Sequence, residues 1–456
     1  MCKFAISFYF LSTMFIKHYN IYIIIIILSQ ILNGQSFDIY DDSIQLKDMS
    51  YNMHQNKYSD SFSSYAKSVK IKNTTNELLD PIIKLQSSEK LKLSFDILNS
   101  ENTTYAYTFI HCNANWEQSN INQSDYLNGF VDNYINDYQY SFNTLTPYVH
   151  YECVFPNENI SFKKSGNYII IIYDAEKNIP IITKRFMVYE EILDINMTIK
   201  KATLARDIAN KQEIDFHITG HKKLNIIDPH SELKIIIQKN DDWNDIISNC
   251  KPSFINNNNI EYDYQGEISF LGGNEYRDFD IKSLRYYGKN IQSINKKNIQ
   301  GINIYNAQLF QDKIEYSEEY EFKYDLNGKY VLSVAENREA DIEGDYVLVK
   351  FILDIEKSEN KDIYIYGELT NWDVLKESKM IYNEITKNYY GSLFLKQGYY
   401  NYQYILAHPN KNNITRIEGE YHETRNKYSI YTYYTPPWRD YDRLVGVAKS
   451  ASNALN

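Results

Sequence analysis

Four charged side chains crowd one short stretch, Phe270 to Asp280, read F-L-G-G-N-E-Y-R-D-F-D. Glu275, Arg277, Asp278 and Asp280 alternate there with Tyr276 and Phe279. In an extended chain Glu275, Arg277 and Phe279 share one face, and Tyr276, Asp278 and Asp280 the other. Paired carboxylates are the chemistry of glycoside hydrolysis, and Glu275 with Asp280 is the pair to consider. No His, Ser or Cys stands beside them to complete a reaction centre. Two readings remain: a corner where Arg277 and the carboxylates satisfy one another, or a surface that binds a partner. Gly272-Gly273 just before it marks a turn or a close backbone approach.

Other reactive patterns fail on spacing. His111 and Cys112 are neighbours, which a strand points to opposite faces. His217 and His221 have the spacing of a helical metal pair, but Ile214, Phe216 and Ile218 alternate as a strand does. Asp325-Leu326-Asn327-Gly328 reads as an Asn-Gly hairpin turn, because the oxygen ligands of a calcium loop are incomplete. G-x-S-x-G, H-E-x-x-H, C-x-x-C and the phosphate-binding loop are all missing from the sequence. The expectation is a protein that is not an enzyme and needs no cofactor or metal.

Composition points to the elements that carry these residues. Of 456 residues 44 are Tyr, while Gly and Pro number only 16 and 9. Tyr, Ile, Val and Phe in short runs favour strands, and the abundant Asn favours turns. The net charge of −11 argues against general nucleic-acid binding. Lys3 and Lys17 precede the apolar run Ile21–Leu32, and small Gly34 follows, so residues 1–34 read as a signal peptide. The remaining cysteines, Cys112, Cys153 and Cys250, are too few for a disulfide scaffold. A Cys112–Cys153 bond and buried free thiols both stay open.

The predicted fold is all-β: three consecutive β-sandwich (immunoglobulin-like) domains after the signal peptide. The first spans 35–190. Leu91, Leu93, Phe95 and Ile97 alternate toward its core, and Tyr168–Tyr173, apolar on both faces, suits a central strand. The long connection between Trp116 and Asn143 is the loop expected to carry a contact surface. The second domain spans 191–338, and the third 339–435, with Leu393–Tyr404 as a hairpin. A tail, 436–456, follows.

An ordered set of segments resembles one family. Tyr107 to Trp116, Phe155-Pro156-Asn157-Glu158, Ser165-Gly166-Asn167-Tyr168 and Arg185 to Glu190 are followed by Gly272 to Arg277, Lys396 to Tyr400 and Tyr441-Asp442-Arg443-Leu444. Together they are similar to the type IX secretion system plug proteins of the Bacteroidota. The resemblance implies a non-enzymatic, periplasmic protein at the outer membrane that blocks the periplasmic opening of the translocon β-barrel. It transfers no binding residue. The candidates for partner binding are Trp116, Tyr126, Asn274, Glu275, Arg277, Tyr441 and Arg443, since aromatic and Arg residues dominate interface hot spots. Tyr366 to Trp372, followed by Tyr399–Tyr404, resembles the starch- and glycogen-binding modules. It implies a rival function, periplasmic or surface carbohydrate binding, with Trp372 and Tyr399 as the sugar-stacking candidates.

Overall fold

The computed structural model describes residues 60–98, 103–256, 259–299, 302–314, 319–336, 338–408, 411–436 and 441–452, with the pairs 51–52 and 57–58. The expected signal peptide, 1–34, lies outside the described residues. Nearly all the regular structure is strand, arranged as face-to-face sheets.

Two sheets form the first sandwich. One runs in the order Asp137–Tyr140, Val149–Phe155, Leu91–Ile97, Ala66–Asn73. The other runs Ser61–Phe62, Ile179–Tyr189, Gly166–Asp174, Tyr105–Cys112, Asn133–Tyr134. Leu91, Leu93, Phe95 and Ile97 point inward as their alternation predicts and meet Phe109, Tyr151, Phe155, Tyr168 and Phe186. Gly166–Asp174 is buried along its whole length. Its inner face packs this core, while Ile169 and Ile171 on the outer face meet Ile236, Tyr431, Tyr433 and Leu444. Cys153 sits in the first core and Cys112 in this outer layer, so the two thiols are free and separate. Burial pushes both thiols up, away from the reactive thiolate.

The second sandwich begins with Asp194–Lys201, Lys211–Thr219, Asn259–Tyr262 and Ser269–Leu271. Its facing sheet pairs Asp242–Ser248 and Leu233–Lys239 with two strands from the end of the chain, Lys427–Tyr434 and Arg443–Ala451. The third sandwich is inserted between Leu271 and Lys427. Arg277–Asp280, Tyr330–Leu332 and Asp362–Tyr366 all pair with Gly398–His408. Opposite them, Tyr346–Asp354 lies between Ile302–Leu309 and Asn388–Lys396.

These pairings cross the expected limits at 338 and 435. Arg277–Leu309 belongs with strands beyond 339, and the supposed tail supplies an edge strand. Sequence order hides an insertion, because a strand's own residues do not say which distant strand it will pair with. The expected hairpin Leu393–Tyr404 is also corrected. Asn388–Lys396 and Gly398–His408 stand in opposite sheets, with Gln397 alone between them. Tyr400, Tyr402 and Tyr404 do share one face, and all three are core residues. Asn327 and Gly328 both take positive φ, so the turn is present. It caps no hairpin, because the described residues directly before it, 319–326, hold no strand.

Each sandwich packs against the other two. Asp80 of the first, which is 3% exposed, pairs with Lys329 of the third and with Lys427 and Lys449 of the second. Burial works against its charge, but the three ammonium groups outweigh burial and hold the carboxyl well below the usual range.

Candidate functional site

The Phe270–Asp280 stretch is the outgoing segment of the neck that carries the inserted sandwich, and residues 417–426 are the returning one. Gly272 lies so close to the returning chain that a Cβ would stand 1.8 Å from the Tyr421 carbonyl oxygen. Tyr421 N–H donates to Gly273 O at 2.9 Å, and Asn274 Nδ2 donates to Glu418 O at 2.9 Å. Glu275 accepts from the Tyr320 hydroxyl at 2.6 Å and from Arg425 N–H at 3.0 Å. Its carboxyl is raised to about 7, chiefly by burial. Arg277 grips Glu418 with both arms, Nε to Oε1 at 2.9 Å and Nη2 to Oε2 at 2.7 Å, and reaches Asp312 Oδ1 at 3.0 Å. Burial opposes its charge, but Glu418 and Asp312 prevail and raise it. Each of these groups is satisfied by this chain's own atoms.

The other predicted contact residues also face inward. Trp116 is 4% exposed; it packs edge-on to Trp243 at 4.9 Å between centroids, with the Arg185 guanidinium 4.7 Å over its ring. The Tyr126 hydroxyl donates to Phe109 O at 3.0 Å from within the first core. Tyr441 is buried edge-on to His111, and Arg443 is bidentate to Glu190 at 3.0 and 2.7 Å. The Tyr399 hydroxyl donates to Asp278. Trp372 is half-buried between Tyr276 and Tyr366. Trp116, Tyr126 and Tyr441 are buried, whereas Arg443, Tyr399 and Trp372 are partly exposed and engaged by neighbours within the chain. Aromatic type and loop position signalled contact, yet the same residue types serve internal interfaces equally well.

Trp116, Trp243 and Trp372 line one cavity of about 720 Å³ where the three sandwiches meet. Its wall also holds Lys184, Asp241 and Asp442. Trp116 Nε1 and Gln238 Nε2 are buried there without a hydrogen-bond partner among the described residues. Two indole-type or amide donors beside aromatic faces suit a small ligand rich in oxygen acceptors.

The exposed apolar surface lies elsewhere in the expected contact loop. Phe130 is 72% exposed, Tyr134 63% and Phe142 61%, with Val131, Tyr138 and Tyr140 also open to solvent. Single exposed apolar residues are ordinary, but so many within one loop make an exposed apolar patch. The loop is firmly mounted. Leu127–Gly129 pairs with Ile160–Phe162, Asn133–Tyr134 with Ala106–Tyr107, and Asp137–Tyr140 with Val149–Glu152. Gly129 is required at the first of these: its φ is +111°, and a Cβ would stand 1.9 Å from Asn159 O. Tyr126, Leu127 and Ile135 anchor the loop in the core. The Tyr173 hydroxyl holds Asp132 at 2.7 Å, and Phe142 N–H donates to Ile342 O of the inserted sandwich at 2.8 Å.

Residues 66–190, nearly the whole first sandwich, match the family model described as type 9 secretion system plug protein, 1st domain. The chain is similar to a solved structure of a hypothetical protein from Parabacteroides merdae ATCC 43184. The two are 33% identical, with a TM-score of 0.82 over 87% of this chain and 100% of that one. No curated protein matches the chain.

Proposed function

The chain belongs to the type IX secretion system plug family, and from that premise we propose that it is a non-enzymatic plug. It is exported to the periplasm, binds the periplasmic opening of the outer-membrane translocon β-barrel and occludes it. Three sandwiches braced against one another make a stopper that does not deform when seated. The single observation that supports the contact surface is the mounted row of exposed aromatics from Phe130 to Phe142, on the sandwich that the family model matches. Such side chains bury large area at little entropic cost where strands already fix the backbone, as at Tyr134, Tyr138 and Tyr140. Displacement then requires only a competitor for the same surface, so the interface free energy must stay modest. Among the described residues no helix is long and apolar enough to cross a membrane, and in this reading attachment runs through the partner.

A photo-crosslinking residue at Tyr134 tests the surface, with one at Tyr286, exposed on the inserted sandwich, as its counterpart. Crosslinks to the barrel from 134 and few from 286 support the reading; the reverse pattern refutes it. One observation favours a second reading, a carbohydrate-binding protein: the cavity lined by Trp116, Trp243 and Trp372. Retention on an α-glucan column that Trp372→Ala abolishes would favour that reading over the plug.

A further inference from the structure

His150 and Glu152 stand two apart on Val149–Phe155 and so share the face turned away from the first core. The inserted sandwich covers that face. It brings Asp341, on the short helix Ala340–Glu343, against them. Ligand atoms of His150, Glu152 and Asp341 all lie within 4.8 Å of one another.

His150 is set up as a ligand rather than as a core residue. It is 5% exposed, and its Nδ1 lies 2.6 Å from Asp96 Oδ1. The Asp96 carboxylate is itself held in place, its other oxygen taking the Tyr346 hydroxyl at 2.7 Å and Lys396 Nζ at 2.6 Å. With Nδ1 turned to Asp96, Nε2 is the ring nitrogen left facing Glu152, buried with no hydrogen-bond partner among the described residues and 3.9 Å from Glu152 Oε2. A carboxylate that fixes the far nitrogen of an imidazole is also the usual support of a metal-bound histidine.

We infer that His150, Glu152 and Asp341 form a divalent-metal site that clasps the inserted sandwich to the first. One imidazole with two carboxylates suits a borderline ion of the zinc class better than calcium or magnesium, which take oxygen ligands alone. Ligand atoms around a tetrahedral zinc stand about 3.4 Å apart, given bonds of about 2.0–2.2 Å. Small side-chain rotations bring the three inward, and water completes the fourth position. Lys92 is the competitor: its Nζ lies 2.6 Å from Glu152 and 4.0 Å from Asp341. It is a flexible cation, and a dication entering the site displaces it outward.

The test is calorimetric titration of the chelator-treated full chain with zinc chloride, and separately with calcium chloride, alongside thermal melts. One zinc per chain, a higher melting temperature with zinc, and calcium bound at least tenfold more weakly are expected. Asp341→Asn, at the covering helix, should weaken zinc at least tenfold while leaving the metal-free melting temperature within a few degrees. Lys92→Met should tighten zinc severalfold by removing the competing ammonium. Absence of saturable zinc binding below about 1 mM, undiminished binding by Asp341→Asn, or calcium bound as tightly as zinc would each overturn the inference.

Discussion

Arg277→Ala separates a structural neck from a docking surface. The guanidinium makes three hydrogen bonds to two carboxylates, and the Arg277 and Glu418 side chains are only 13% and 6% exposed. Truncation leaves Glu418 and Asp312 without their counter-ion. Asp312 keeps the Tyr402 and Tyr404 hydroxyls, at 2.8 and 2.7 Å, and Glu418 keeps Tyr404 N–H at 3.0 Å. These contacts soften the loss but cannot neutralise the buried charge of Glu418 and the half-buried charge of Asp312. Removing one partner of a buried ion pair costs about 3–5 kcal/mol. For a unit of 150–250 residues each kcal/mol moves the melting temperature by about 2–4 °C, so a fall of about 6–20 °C is expected. Arg277→Lys should recover only part of it, because an ammonium cannot hold Glu418 with two parallel bonds. The assay is a thermal melt at neutral pH, with capture of the barrel partner measured well below the melting temperature. A melting temperature within about 1 °C of the parent, together with lost capture, would refute the structural assignment.

Three further outcomes follow from the same geometry. Glu275 is raised to about 7 in the folded chain, so between about pH 4.5 and 7 the folded state holds the extra proton and stability declines as pH rises. Glu275→Gln should flatten that decline in pH-dependent melts and be the more stable form at pH 8, by up to about 3 kcal/mol; an unchanged profile would contradict the assignment. Asp80→Ala strips one carboxylate from Lys329, Lys427 and Lys449 and should cost about 3–5 kcal/mol in denaturant unfolding. A loss below about 1 kcal/mol would mean that this cluster does not brace the three sandwiches. Gly129→Val must move a strand whose backbone it would meet at 1.9 Å. It should expose residues 127–143 to limited proteolysis and abolish partner capture with little change in overall melting temperature.

The sequence was most legible where one physical signal acted alone. Alternation placed Leu91, Leu93, Phe95 and Ile97 in the core, and the doubly apolar run from Tyr168 to Tyr173 became a strand covered on both faces. The same strand Leu91–Ile97 shows where local reading stops. Ser94 and Asp96 look solvent-facing by alternation, yet both are buried, because the inserted sandwich lies over them. Nothing within a few residues of Asp96 announces Lys396 or Tyr346. The insertion is hidden for the same reason: nothing in the residues of Arg443–Ala451 says that it pairs with Lys427–Tyr434, which in turn pairs with Leu233–Lys239. In the connection from Trp116 to Asn143 residue type does not separate anchor from surface: Trp116 and Tyr126 are buried, while Phe130, Tyr134 and Phe142 are exposed. The run Gly129-Phe130-Val131 held the missed clue, since a glycine turn bearing consecutive apolar residues away from any alternating pattern has no core to enter.

The most direct test of the central claim is recovery of the tagged full-length protein from native cell envelopes, with quantitation of what accompanies it. The account predicts one very large outer-membrane β-barrel in near-equal amount, lost when Phe130, Tyr134 and Phe142 are together changed to Ser in a protein that melts as the parent does. Recovery of the parent protein without the barrel, or of the triple variant with the barrel undiminished, would contradict it.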